Sequence, residues 1–154
     1  NENVEARRGV AGIFFMYKAA GAKADQMGTL DEVLAAAKKA GDNVRTVGFA
    51  LTPCIVPEVG HSNFELGENE MAEGDEVALL INGLGATSIE ELYILNNSVR
   101  KQLEAKGVKV YRSWTGEYAT SMEMMGASIS ICKVDDELKG YFDYPIDTPF
   151  LCQK

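Results

Sequence analysis

The chain has 154 residues, with 15 Lys and Arg against 23 Asp and Glu, a formal net charge of −8 and 46% hydrophobic residues. A chain of this size forms one domain and buries enough surface to need neither disulfides nor a metal for its core. The acidic balance excludes an electrostatic nucleic-acid binder, which needs clustered Lys and Arg, and no apolar run approaches the ~18 residues of a membrane span.

The first predicted element runs from Gly9 to Gly28. Ile13, Tyr17, Ala20 and Ala24 recur at helical spacing and predict one inward face. The small residues Ala19, Ala20, Gly21, Ala22 and Ala24 predict close packing, and Gly28 is the expected stop. Thr29 and Glu32 then match a capping box. The helix they open is predicted to turn Leu30, Val33, Leu34 and Ala37 inward and to end at Gly41, with Lys38 and Lys39 complementing the dipole of its last turn.

Val44 to Leu51 reads as a strand ended by Pro53 and Pro57. Glu58 to Asp75 is acidic and aperiodic, a loop with room for a short strand near Phe64. Val77 to Ile81 is a continuous apolar run, the mark of a strand covered on both faces. A turn from Asn82 to Thr87 leads into a second capping box, Ser88 to Glu91, and a helix with Leu92, Leu95, Val99 and Leu103 on one face and Gly107 as its stop. Val108 to Trp114 reads as a strand, Tyr118 to Met125 as a short helix or irregular loop, Ser128 to Val134 as a strand, and Asp135 to Leu138 as the start of a short helix. Tyr144-Pro145 and Thr148-Pro149 predict an extended end. The class is α/β (or α+β), a mixed β-sheet with packed helices. The strand-helix-strand segment from Val77 to Arg112 is a βαβ unit with an expected right-handed crossover.

The charge is uneven. Between Arg45 and Arg100 there is no Lys or Arg, while Glu58, Glu65, Glu68, Glu70, Glu73, Asp75, Glu76, Glu90 and Glu91 fall there. The histidine His61 lies in this interval and reads as a general base, a nucleophile toward a carbonyl or, preferably, an exposed loop residue. Glu65, Glu68 and Glu70 lack the spacing of an EF-hand, and no metal is expected. Cys54, Cys132 and Cys152 are widely spaced and form no C-x-x-C, which suits buried or inert thiols in a reducing compartment. No basic residue stands near Cys54 in sequence to suggest an activated thiol. The turn carrying Asn82, Gly83, Gly85 and Thr87 joins a buried strand to a helix N-terminus, where backbone N–H groups hold phosphates in other folds. It lacks the Gly-Lys-Ser/Thr of a Walker A loop and the full G-x-G-x-x-G, so turn geometry alone is the preferred reading. These four residues are the candidates for substrate contact, and no catalytic residue is identified.

Several ordered motifs resemble one family. They are Arg7-Arg8-Gly9-Val10-Ala11-Gly12, Asn43-Val44-Arg45-Thr46-Val47-Gly48 through Cys54, Phe64-Glu65-Leu66-Gly67-Glu68-Asn69-Glu70-Met71, Gly74-Asp75-Glu76-Val77 through Thr87, Glu91-Leu92-Tyr93, Gly116-Glu117-Tyr118 with Thr120-Ser121-Met122-Glu123-Met124, Asp135-Asp136-Glu137-Leu138, and Thr148-Pro149. The chain resembles the second half of the dihydroxyacetone-binding subunit or domain of dihydroxyacetone (glycerone) kinase. The resemblance implies a cytoplasmic component, commonly a homodimer, that holds dihydroxyacetone on a histidine as a hemiaminal. Phosphate then comes from a helical partner, fed by a phosphotransferase system through ADP-Mg or carrying ATP-Mg on a separate domain, so no cofactor is expected on this chain. A non-catalytic paralogue that binds the same ketose and coactivates a transcription regulator is the alternative.

The chain departs from the family in two places: the family's N-terminal region before the R-R-G turn, with its G-G-G-S-G-H-E-P and an acidic substrate contact, has no counterpart here, and the glutamate motif is cut short. The family motif continues past the glutamates as E-I-G-x-G-I-H-G-E-P-G, whereas Met71 is followed here by Ala72-Glu73-Gly74-Asp75. The substrate histidine has no counterpart, and His61 does not match it. The chain starts at Asn1 rather than Met and shows no signal-peptide pattern. The expectation is a single lobe, residues 1–154, that lacks an N-terminal lobe and a segment at the 71/72 junction, and that is inactive alone.

Overall fold

The computed structural model describes residues 11–50, 71–120 and 124–154. Four helices and six strands follow in the order α1 (Ile13–Asp25), α2 (Leu30–Asn43), β1 (Val44–Ala50), β2 (Glu76–Gly83), α3 (Ile89–Ala105), β3 (Lys109–Gly116), β4 (Gly126–Lys133), α4 (Asp136–Asp143), β5 (Ile146–Asp147) and β6 (Cys152–Gln153). The main sheet has the order β1-β4-β2-β3. β2 runs parallel to β3 and antiparallel to β4, and β4 runs antiparallel to β1. The α/β class and the mixed sheet are as predicted.

The sheet separates two cores. On one side Phe15, Ala19, Ala36, Ala40, Leu138 and Phe142 from α1, α2 and α4 meet Ala78, Leu80, Trp114 and Cys132. On the other, Leu92, Val99 and Leu103 of α3 meet Val77, Leu79, Ile81, Ile129 and Ile131. β2 is interior and covered on both faces, with every residue from Val77 to Gly83 buried, as its unbroken apolar run requires. A cross-strand hydroxyl pair, Thr46 Oγ1 to Ser130 Oγ at 2.7 Å, satisfies the fully buried Ser130. Phe14, Phe15, Trp114 and Phe142 pack edge-on or tilted at centroid separations of 5.2–6.1 Å, a geometry worth about 0.5–1.5 kcal/mol per pair beyond area burial.

Both predicted capping boxes form. The Thr29 and Ser88 hydroxyls accept from the Glu32 and Glu91 N–H groups, and those glutamates accept from the Thr29 and Ser88 N–H groups. Other expectations need correction. The face of α1 that packs inward carries Phe15, Lys18, Ala19 and Ala22, while Ile13, Tyr17 and Ala24 are exposed. α2 buries Ala36 and Ala40 and leaves Leu30 and Leu34 exposed. Both helices carry apolar residues on two faces, and the sheet takes the faces lined by alanines, which allow closer approach. Gly41 does not end α2, which continues to Asn43 and passes directly into β1. Its small surface instead admits Met16 of α1, whose Cε would lie 3.2 Å from an added Cβ. The left-handed residue ending α1 is Met27 (φ 60°), not Gly28. The chain end folds into the β5–β6 hairpin where only extension was predicted. Of the segment expected as helix or loop at Tyr118 to Met125, residues 118–120 are non-helical and Met124 makes a bridge to Gly85. Leu51, the strand suggested near Phe64, Cys54, His61, Glu65, Glu68 and Glu70 lie outside the described residues.

Candidate functional site

In sheets of this kind ligands gather beyond the carboxyl ends of the parallel strands. Here those ends are Gly83 of β2 and Gly116 of β3, with β4 starting beside them at Gly126. The sequence candidates Asn82, Gly83, Gly85 and Thr87 come together at this edge.

Asn82 is fully buried, and its amide is saturated within the chain. Its Nδ2 donates to Ala119 O (2.9 Å) and Ser128 Oγ (3.2 Å), and its Oδ1 accepts from the Tyr118 and Ala119 N–H groups (2.8 and 2.7 Å). These bonds clamp residues 118–119 against the end of β2. Thr87 is committed as well: its hydroxyl donates to Gly126 O (2.7 Å) and accepts from Gly126 N–H (2.8 Å). Leu84 N–H to Gly126 O and Ala86 N–H to Met124 O tie the same two loops together. Gly85, at φ 115°, supplies the turn between them.

Gly83 has a different part. A Cβ there would lie 2.0 Å from Glu117 Oε1, so the exposed Glu117 carboxylate rests directly on the Gly83 backbone. The sequence patterns singled out Gly83 and missed Glu117. Its only signal was its place in Gly116-Glu117-Tyr118. Tyr118 stands beside it, its ring 3.3 Å from where a Gly116 Cβ would be and 5.1 Å from the Phe14 ring centroid. Burial raises the Tyr118 phenol above its ordinary pKa of 10, so it remains a hydroxyl donor at neutral pH.

The electrostatics of this edge argue against phosphate. The α3 N-terminus already receives the Glu91 carboxylate through its capping box, and Glu90 lies in the same turn. Glu117 on Gly83 adds a further carboxylate at the strand end itself. A neutral molecule rich in hydroxyl donors fits better, because carboxylates accept such bonds strongly.

A second polar cluster closes α4. Lys18, 5% exposed, donates from Nζ to Tyr144 O (3.0 Å). Burial, helped by the nearby Arg112 charge and opposed by Asp143, lowers its pKa to about 8. Asp143 accepts from the Tyr111 hydroxyl and pairs with Arg112 at 2.7 Å. A register irregularity between Val77 and Ala78 in the β2–β3 ladder lets the adjacent Tyr111 and Arg112 reach one carboxylate. Burial pushes the Cys132 thiol up to about 12, leaving it unreactive, while Cys152 is exposed. Among the described residues no group of three His, Cys, Asp or Glu could hold a metal ion, and no helix is long and apolar enough to cross a membrane.

Comparison with known proteins gives consistent relatives. The Dak1 domain family matches residues 1–74 and 71–150. The chain is 37% identical over 186 positions to the PTS-dependent dihydroxyacetone kinase 2, dihydroxyacetone-binding subunit DhaK, of Listeria innocua, covering 97% of this chain and 56% of that protein. The chain thus spans about half the length of the curated relatives it matches. Among solved structures, the dihydroxyacetone kinase operon co-activator Dha-DhaQ is 29% identical with a TM-score of 0.73, over 90% of this chain and 55% of that one. The dihydroxyacetone kinase of C. freundii shares the fold at a TM-score of 0.72 and 18% identity, over 99% of this chain and 34% of that one.

Proposed function

The chain belongs to the Dak1 domain family, and from that premise we propose that it is one lobe of the dihydroxyacetone-binding component of a dihydroxyacetone kinase. The observation that carries this reading is the family match in two runs, 1–74 and 71–150, which meet at residues 71–74. The Listeria innocua alignment has the same form. It extends over 186 positions, whereas 97% of a 154-residue chain is about 149, so roughly 37 positions of the relative face nothing here. This supports a lobe that lacks a segment at the 71/72 junction and whose remaining partner lobe lies outside the match.

In this reading the carboxyl edge supplies hydroxyl recognition. Glu117, seated on Gly83, accepts from a ketose hydroxyl, and Asn82, Gly85 and Thr87 hold the two loops in place. The phosphoryl donor sits on a separate helical partner, charged by a phosphotransferase system or by ATP, and brings its phosphate to the ketose hydroxyl held here. The chain alone does not turn over substrate. The working component is a cytoplasmic homodimer.

The whole protein, purified from its source, is expected to show saturation-transfer NMR signals with dihydroxyacetone and to pass phosphate to it when a helical donor subunit is added. Absence of any ketose signal in the whole protein would overturn the reading. The similarity to the co-activator Dha-DhaQ favours a second reading, a ketose-binding coactivator. It predicts binding without phosphorylation whichever donor is supplied.

A further inference from the structure

α3 meets the sheet with two different chemistries. Toward β2, its Leu92, Val99 and Leu103 pack on Leu79 and Ile81. Asn96 holds a place in the same helical stripe, four residues after Leu92 and three before Val99, but its partners are on β3. Its Nδ2 donates to Ser113 Oγ (2.7 Å) and to Thr115 Oγ1 (2.5 Å). In the register of the sheet Ser113 stands beside Leu79 and Thr115 beside Ile81. Where β2 offers aliphatic side chains to α3, β3 offers hydroxyls, and the helix answers with an amide.

These polar groups have bonding capacity to spare. Both hydroxyl oxygens accept from Asn96, so their own hydrogens are directed elsewhere. Asn96 Oδ1 is buried and has no partner among the described residues, an uncommon state for a buried acceptor. The pair also continues the site at the carboxyl edge. Ser113, Thr115 and Glu117 follow one another at alternate positions, about 6.6 Å per step along an extended chain. Their shared side is that of α3. Thr115 is bonded to Asn96, and the Glu117 carboxylate fills the place of a Gly83 Cβ, on the same face of β2 as Ile81. β3 is the outer strand of the described sheet, and Ser113 and Thr115 are partly exposed, Glu117 more so. Tyr93, 59% exposed, stands one turn before Asn96 on α3. A molecule whose hydroxyl is held by Glu117 therefore has the Thr115 hydroxyl as its next neighbour along the same face. Of the groups in this column only Glu117 is charged, which suits a neutral polyhydroxy compound.

We propose that Thr115, backed by Asn96 and Ser113, is a second hydroxyl-recognition subsite adjoining Glu117, and that it takes the additional hydroxyl of a ketose longer than dihydroxyacetone. The inference rests on the reading of the carboxyl edge as the ketose site. With the subsite filled, the Thr115 hydroxyl donates to the ligand oxygen, and a small turn of the Asn96 amide gives Oδ1 the ligand's hydrogen. A three-carbon ketose held at Glu117 lacks this hydroxyl and leaves the subsite unused.

The test uses the whole protein, with dihydroxyacetone and its four-carbon homologue erythrulose as probes, and reads dissociation constants from saturation-transfer titrations. Thr115→Val removes the hydroxyl and nearly keeps the shape. It is expected to weaken erythrulose binding about three- to tenfold, the worth of one hydrogen bond, and dihydroxyacetone binding by less than about twofold. Asn96→Leu should move the ratio of the two constants in the same direction, Thr115→Ser should keep the wild-type ratio, and Glu117→Gln should weaken both ketoses alike. Equal losses for the two ketoses in Thr115→Val, no loss for either, or a wild type that binds dihydroxyacetone but not erythrulose overturns the subsite and leaves the ketose reading of the edge standing. A wild type that binds neither ketose overturns both. Urea unfolding of each variant separates a lost subsite from a lost fold, and Thr115→Val decides the matter if Asn96→Leu does not fold.

Discussion

Met27 and Gly107 occupy the same place in two helix ends. After α1 the Gly28 N–H reaches Lys23 O and the Met27 N–H reaches Ala24 O, while after α3 the Val108 N–H reaches Leu103 O and the Gly107 N–H reaches Glu104 O. Both are Schellman closures whose C′ residue has a left-handed backbone, φ 60° at Met27 and 74° at Gly107. Only glycine takes that conformation without steric cost. Met27→Gly is therefore expected to stabilise the protein by about 0.5–1 kcal/mol in urea unfolding, since the exposed Met27 side chain contributes little packing. Gly107→Ala is expected to cost about 1 kcal/mol, and its Cβ would also press on Glu73, 2.6 Å away. Lys18 makes a pH-dependent prediction. Its folded pKa of about 8 lies below the ordinary 10.5, so between those values the unfolded chain holds a proton that the native state has released. Stability rises with pH where the unfolded state binds more protons. The rise starts near pH 8 and ends near 10, where tyrosines begin to ionise in the unfolded chain while Tyr111, Tyr118, Tyr141 and Tyr144 are held protonated in the native one. Urea midpoints at pH 7, 8 and 9 should show wild type gaining on Lys18→Met as pH rises. A constant difference would show that Lys18 keeps its proton throughout.

Among the elements, those with local signals were legible before the structure. α3 is announced by Ser88 and Glu91, sustained by Leu92, Val99 and Leu103, and closed by Gly107, and every one of these residues acts as its type suggests. Ser88→Ala removes the acceptor for the Glu91 N–H and should lower stability by about 1 kcal/mol, with Thr29→Ala costing a similar amount at the exposed start of α2. A chevron analysis would register either change. What periodicity could not give was the choice between two apolar faces. For α1 the Ile13–Tyr17 stripe and the Phe15–Ala19–Ala22 stripe both have helical spacing, and only the shape of the sheet decides between them. The site was half legible for a related reason. Gly83 stands out because glycines at strand ends suggest close approach, but what approaches is Glu117, 34 positions away in sequence and brought there by the β2–β3 pairing and the Asn82 clamp. Gly83→Ala tests that contact. It should displace Glu117 and weaken ketose binding by the whole protein about as much as Glu117→Gln does, with little change in stability, because the clash is with the end of a flexible, exposed side chain.

For the whole molecule, the turn at residues 71–74 is where the two matched runs of the family meet. The turn there is well closed: Asp75 accepts from the Ala72 N–H (2.8 Å) and pairs with Lys133 (2.8 Å), and the Gly74 N–H reaches Gly107 O (2.9 Å). All these bonds lie after Met71, so a segment inserted between Met71 and Ala72 disturbs none of them. The turn sits at the amino end of β2, opposite the carboxyl edge that holds Gly83 and Glu117. An eight-residue strand spans about 27 Å, and roughly 37 residues are long enough to run that distance and return. Loop-closure entropy grows only slowly with length, by about 0.6 kcal/mol per doubling, so even an unpacked insert should leave the lobe folded. Inserting the unmatched segment of the Listeria innocua subunit at this junction is therefore expected to give a soluble protein with an intact urea transition. It should also show a saturation-transfer signal from dihydroxyacetone that the 154-residue chain does not give. A folded insertion without that signal would place ketose recognition beyond this lobe. An insertion that abolishes the transition would mean that the sheet has adapted to the short turn, and the 71/72 junction would then be part of the fold rather than a gap in it.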